Sequence, residues 1–220
     1  MKAADRLELT PWQAFSHYGA ALFIWIVFAM FLFTLIKKYN SAVNIDTIDI
    51  AYLFSWLLVA VLLSIAQYRR LNFVAFNVDY THEQFNEALN RTKKDLEWRI
   101  KKNNKSILIA YRPGYWSSSL GEMITIKKQE GQLLLNSICS PDRPISATSY
   151  GWNKKNLVTF MYHLGDAINN KPYVAPPVVV TSEWSAKRIV TRIFLYPLAL
   201  FLILLALYFL FTPASYGRGL

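Results

Sequence analysis

Four kinds of side chain in this sequence have the chemistry for a reaction. They are the histidines His17, His82 and His163, the single cysteine Cys139, the hydroxyl run Ser117-Ser118-Ser119, and the carboxylates Glu122 and Asp142. A zinc site needs three or four Cys, His or carboxylate ligands brought together, usually in short spacings. Three scattered histidines and one cysteine give no such spacing, so no metal and no cofactor is expected. One cysteine cannot form an internal disulfide, which suits a reducing compartment. The serine run has no Gly-x-Ser-x-Gly elbow around it. Neither the Gly-x-x-x-x-Gly-Lys-Ser/Thr loop nor the Gly-x-Gly-x-x-Gly loop that cradles phosphate occurs in the chain. His163 sits beside an apolar stripe, where a structural role is expected. Glu122 and Asp142 remain as a carboxylate pair for acid–base work. The ordinary alternative is a strand-edge Glu satisfied by a neighbouring Lys.

The elements that would position these groups follow from the hydrophobic pattern. Of the 220 residues, 54% are hydrophobic and only 17% charged, and the formal net charge is +10. The apolar residues gather in three uncharged runs, at 19–36, 50–67 and 193–212. Crossing a hydrocarbon core of about 30 Å takes about 20 helical residues, so each run is expected to span a membrane. The first run is too long for a signal-peptide core, and Ile36-Lys37-Lys38 is no small-residue cleavage site, so it reads as an anchor. The run interiors carry no Asp, Glu, Lys or Arg. Transport through one copy would use such groups and is not expected. Arg69 and Arg70 abut the second run and Lys187, Arg188 and Arg192 the third, while Lys2 and Arg6 precede the first. The positive-inside bias then puts the N-terminus and residues 68–192 in the cytoplasm of an inner membrane, with Lys37 and Lys38 arguing weakly the other way. That bias also accounts for the basic charge, so nucleic acid is not the expected partner.

Between the second and third runs lies a segment of globular pattern. Thr81 is positioned to cap a helix whose Phe85, Ala88, Leu89, Thr92, Leu96 and Ile100 form one face, with Arg91, Lys93, Lys94, Arg99, Lys101 and Lys102 on the other. Strands are expected at 71–78, 106–111, 123–128 and 132–138, the last two joined by Glu130-Gly131, a hairpin signal. A final helix from Asn153 carries Leu157, Phe160, Met161, Leu164 and Ile168. The expected fold class is therefore a membrane α protein with a small cytoplasmic α+β domain, ordered β-α-β-β-β-α, inserted between spans two and three. Its divisions are 1–67 (a two-helix hairpin with spans at about 17–36 and 50–67), the domain at 68–170, a Pro-containing tether at 171–192, and a last span and tail at 193–220.

A right-handed parallel crossover after the first helix would carry the 113–120 and 140–152 connections to the membrane-distal end. Tyr115, Trp116, Asp142, Arg143, Tyr150 and Trp152 would then share a distal rim of the kind that partner proteins use. Arg69, Arg70, Arg99, Lys101, Lys102, Lys105, Lys187 and Arg188 would collect at the membrane surface, facing lipid. The expected role is non-catalytic: an accessory or scaffold module that binds another membrane or cytoplasmic protein, or a second copy of itself. A membrane-bound enzyme acting on a lipid-linked head group through Glu122 or Asp142 is the first alternative, and a ligand-gated oligomeric pore the second.

Overall fold

The computed structural model describes residues 6–114, 119–142, 149 and 151–176. Two compact units share the chain, one formed from 1–20 and 64–179 and the other from 21–63 and 180–220. Two helices contribute to both: α1 (Pro11–Asn40) and α2 (Thr47–Arg70). Each is long and apolar enough to cross a membrane. The expected third span, 193–212, lies outside the described residues.

α1 begins earlier than the apolar run alone implies, because a capping box starts it. Thr10 Oγ1 accepts from the Gln13 amide at 3.3 Å and Gln13 Oε1 accepts from the Thr10 amide at 3.1 Å. Pro11 follows at the first helical position, where its missing N–H costs nothing. In the 21–63 unit, Lys38 Nζ reaches Asp49 at 2.9 Å, joining the last turn of α1 to the first turn of α2. Phe31 and Tyr52 meet edge to face at 6.2 Å. Phe23, Phe33, Phe54, Leu58 and Leu62 are exposed on these two helices.

The larger unit is a five-stranded antiparallel sheet with two helices on one face. Its strands are β1 (Val74–Asn77), β2 (Arg99–Asn103), β3 (Ile107–Arg112), β4 (Glu122–Gln129) and β5 (Gln132–Cys139), in the order β1-β5-β4-β3-β2. The helices are α3 (His82–Leu96) and α4 (Trp152–Ile168). Thr81 caps α3 in a second capping box with Gln84, as its sequence implies. The expected stripe from Phe85 to Leu96 is buried. It packs with Phe160 and Leu164 of α4 against Leu108, Ala110, Ile124, Ile126, Leu133 and Leu135 of the sheet.

Two expectations about this unit are overturned. The first concerns Arg99, Lys101 and Lys102, which are not on a helix. Glu97 takes the left-handed conformation (φ 56°) and ends α3, Trp98 turns into the core, and the basic stretch becomes edge strand β2, paired from Arg99↔Tyr111 to Asn103↔Leu108. Ile100 keeps an inward position because a strand edge serves its spacing as well as a helix would.

The second concerns the crossover. β1 pairs antiparallel with β5 (Val74↔Leu135 to Asn77↔Gln132), and three strands separate it from β2, so β1 and the strand that follows α3 are not neighbours. The Glu130-Gly131 turn therefore lies at the end of the sheet where β1 finishes. The 113–120 and 140–151 connections lie at the other end, where the chain arrives from α2.

The opposite face of the sheet is covered at that same end. Leu71, Met123 and Ile138 form a small second core with Leu7, Leu9 and Tyr18 against it. Asn136 Nδ2 donates to the carbonyls of Arg70 and Asn72, each at 2.9 Å. These bonds tie the chain between α2 and β1 to the middle of β5.

Candidate functional site

Strand alternation points Arg112 of β3 and Glu122 of β4 to the helix-covered face, and the register sets them directly opposite. Glu122 is fully buried and the Arg112 side chain nearly so. Arg112 Nε donates to Glu122 Oε2, and Arg112 Nη2 to Ser119 Oγ. Ser119 Oγ donates in turn to Glu122 Oε1 at 2.5 Å, so both carboxylate oxygens are engaged. The guanidinium lies 3.7 Å from the centre of the Trp152 ring, the first residue of α4, and Lys155 Nζ lies 4.3 Å from the same ring.

The backbone that closes this cluster requires glycine. A Cβ on Gly114 would fall 2.1 Å from the Leu120 carbonyl carbon, and Gly121 has φ 104°. Ser119 Oγ is thus engaged twice, accepting from Arg112 and donating to Glu122.

Asp142 stands at the same end of the sheet, one turn past β5. Its Oδ1 accepts from Gln13 Nε2 at 3.0 Å, it shares a hydrogen bond with Tyr111, and Lys101 Nζ lies 4.0 Å away. Partial burial pushes the carboxyl up, but the bonds from Gln13 and Tyr111 and the charge of Lys101 more than offset it, leaving it below its ordinary value. The Tyr111 hydroxyl is driven well above its usual range, first by burial and then by Asp142.

A depressed folded-state value means that the stabilisation is complete above the unfolded carboxylate value of about 3.9 and fades as pH falls through the lower one. Acidification through that lowered value is therefore expected to free the first turn of α1. Amide exchange at residues 10–13, corrected for its intrinsic pH dependence, should rise in the native protein and stay flat with pH in Asp142→Asn.

A third polar cluster sits between the helices. His163 is fully buried on α4, and its Nε2 contacts Asp95 Oδ2 at 2.6 Å, while Asp95 Oδ1 accepts from the Tyr173 hydroxyl at 2.5 Å. The Tyr173 ring stacks on His163 at 5.8 Å with Lys94 Nζ 4.7 Å from its centre. Arg91 Nη2 donates to the Lys171 carbonyl at 3.0 Å. The start of the expected tether is thus strapped along α3.

Of the expected rim, Asp142 and Trp152 are at the same end of the sheet, the end at which β1 begins. The antiparallel β1–β5 pairing reverses β3, β4 and β5 relative to the expectation. Tyr115, Trp116, Arg143 and Tyr150 lie outside the described residues. The expected basic cluster divides. Arg69 and Arg70 end α2, and Arg99 and Lys101 begin β2 near the same end of the sheet. Lys105 is at the opposite end, where it lines a recess of about 360 Å³ with Tyr80, Lys128 and Gly131. Lys187 and Arg188 lie outside the described residues.

Sequence reasoning missed Arg112, although inward-facing Arg and Glu on neighbouring strands are visible once alternation is followed from Leu108 and Ile124. It also missed Gln13 and the Asp95–His163–Tyr173 cluster, whose partners are remote in sequence. No group of three or more His, Cys, Asp or Glu able to hold a metal ion occurs among the described residues. Comparison with protein-family models, curated proteins and solved structures gives no match.

Proposed function

We propose that the chain is an integral inner-membrane protein with its N-terminus and α+β unit in the cytoplasm. That unit serves as a binding module, an accessory or scaffold subunit of a larger membrane assembly. The engagement of Glu122 carries this reading. A general acid or base must offer an oxygen or a proton to its substrate, whereas both oxygens of Glu122 are held by Arg112 and Ser119 inside the protein. Asp142, the other carboxylate a lipid-modifying enzyme would use, is occupied by Gln13 and Tyr111.

These bonds stiffen the end of the sheet from which the 113–120 and 140–151 connections leave. A rigid frame lowers the ordering cost of recognising a partner. The apolar α1 and α2 and the basic residues Arg6, Arg69 and Arg70 at one end support the membrane placement.

The test is extraction of the full-length protein in mild detergent, followed by native mass determination and identification of what travels with it. A stoichiometric protein partner, or a defined self-assembly, is expected. It should be lost when Tyr115, Trp116 and Arg143 are all replaced by alanine while the unfolding midpoint holds. A wild-type monomer carrying lipid alone would refute the reading, and so would an assembly indifferent to the triple replacement.

A further inference from the structure

Arg6 differs from the other surface cations in being held at a fixed angle. Its backbone pairs antiparallel with Asn72, and the next amide, Leu7 N, donates to the Leu71 carbonyl at 2.9 Å. Its Nε donates to Asn72 Oδ1 at 3.0 Å, and its guanidinium carbon lies 3.7 Å from the centre of the Tyr68 ring. One edge of the guanidinium is therefore used and one face covered, while the two terminal nitrogens have no partner among the described residues. A planar fork restrained in this way loses little rotamer freedom when it meets a phosphate, which it matches with two parallel N–H···O bonds.

Arg69 is exposed beside Tyr68 at the polar end of α2, and Trp12, exposed and stacked on Phe15 at 5.6 Å, opens α1. Trp and Tyr rings next to basic side chains, at the end of a long apolar helix, are the composition of a membrane–water boundary. No ion pair joins Arg6 to Glu8 among the described residues. Among the described residues, the fork is left open to an outside anion.

We propose that Arg6, with Arg69 as its companion charge, is a binding site for the phosphate of an anionic phospholipid at the foot of α2. The site rests on the membrane placement argued above. It deepens that placement by giving the boundary a fixed, residue-specific lipid contact in place of a diffuse basic surface. Its orienting partners are Asn72 and Tyr68, neither of which carries charge.

The test uses the full-length protein in mixed micelles of equal phosphatidylglycerol and phosphatidylcholine, with retained lipids counted by native mass spectrometry. The wild type is expected to retain phosphatidylglycerol preferentially. Replacing Arg6 and Arg69 together by Gln should cut that preference by about fivefold for each cation removed. The pair Lys93→Gln with Lys94→Gln on α3 removes the same charge and should leave the preference intact. Tyr68→Ala should weaken retention with all charges present, a result that a diffuse basic surface would not produce.

Equal losses in the Arg and Lys pairs would overturn the proposal, as would full preference in the Arg pair. Displacement of the lipid by millimolar inorganic phosphate would make the free anion the occupant and overturn the lipid assignment. Failure of the membrane placement reads out separately, as wild-type protein released into the supernatant by an alkaline wash of membranes.

Discussion

Arg112→Met is expected to destabilise the α+β unit by about 3–5 kcal/mol, because it leaves the Glu122 carboxylate buried without its counter-ion. Glu122 has no exposed surface through which water could take over, and Ser119 offers it a single neutral donor. The change also uncovers the Trp152 ring on which the guanidinium lies. The decisive comparison is the double variant Arg112→Met with Glu122→Leu. Apolar replacement of a whole buried ion pair is often neutral or stabilising, so the double variant should recover most of the loss. Denaturant unfolding in detergent, followed by tryptophan fluorescence, measures the wild type, the two single variants and the double variant. If the double variant is as unstable as the sum of its single changes, the pair is not coupled and the cluster does not hold the sheet end together.

Phe160→Ala should cost about 3–5 kcal/mol by a different route, the loss of buried surface together with a cavity that its neighbours cannot fill. Phe160 is fully buried and meets Phe85 edge to face at 5.4 Å and Trp98 nearly parallel at 6.0 Å. It is thus in ring contact with both α3 and the turn that leads from α3 into β2. Phe160→Leu retains most of the volume and should cost less than half as much. A change in Trp98 fluorescence should accompany the alanine variant alone. Equal destabilisation by the two replacements would mean that the ring contacts matter more than the volume.

What could be read directly from the residues is what local spacing controls. The α3 stripe, the Thr81 cap and the Glu130-Gly131 hairpin each depend on neighbours a few residues away, and each appears as expected. β2 was hidden because the step from Leu96 to Ile100 fits a helical turn and the Lys-rich stretch fits a polar helix face. Its strand conformation comes from pairing with β3 and from one left-handed residue, Glu97, whose type gives no warning.

The placement of β1 was misread for a related reason. A β-α-β order favours a parallel crossover only when the two strands are neighbours in one sheet, and here three strands intervene between β1 and β2. The candidate site shows the same division. Glu122, Asp142 and Trp152 were singled out by residue type. The groups that decide their state are set by tertiary contact, as with Gln13, 129 residues before Asp142, and Asp95, 68 before His163. Separations of that size leave no local trace.

The edge position of β1 sets the order in which the molecule can be completed. Strands β2 to β5 form a meander of near neighbours that can pair as soon as they are made. β1 has no partner until β5 exists, since Asn77 meets Gln132 across 55 residues, and Arg6 must reach Asn72 across 66. Synthesis runs from the N-terminus, so α1, α2 and β1 all emerge ahead of the strand that receives them. During that interval β1 is a bare strand edge, and its four residues make it a short template for any wrong partner. Its capture by β5 is then the closing step, the moment at which a nascent chain becomes one cooperative sheet.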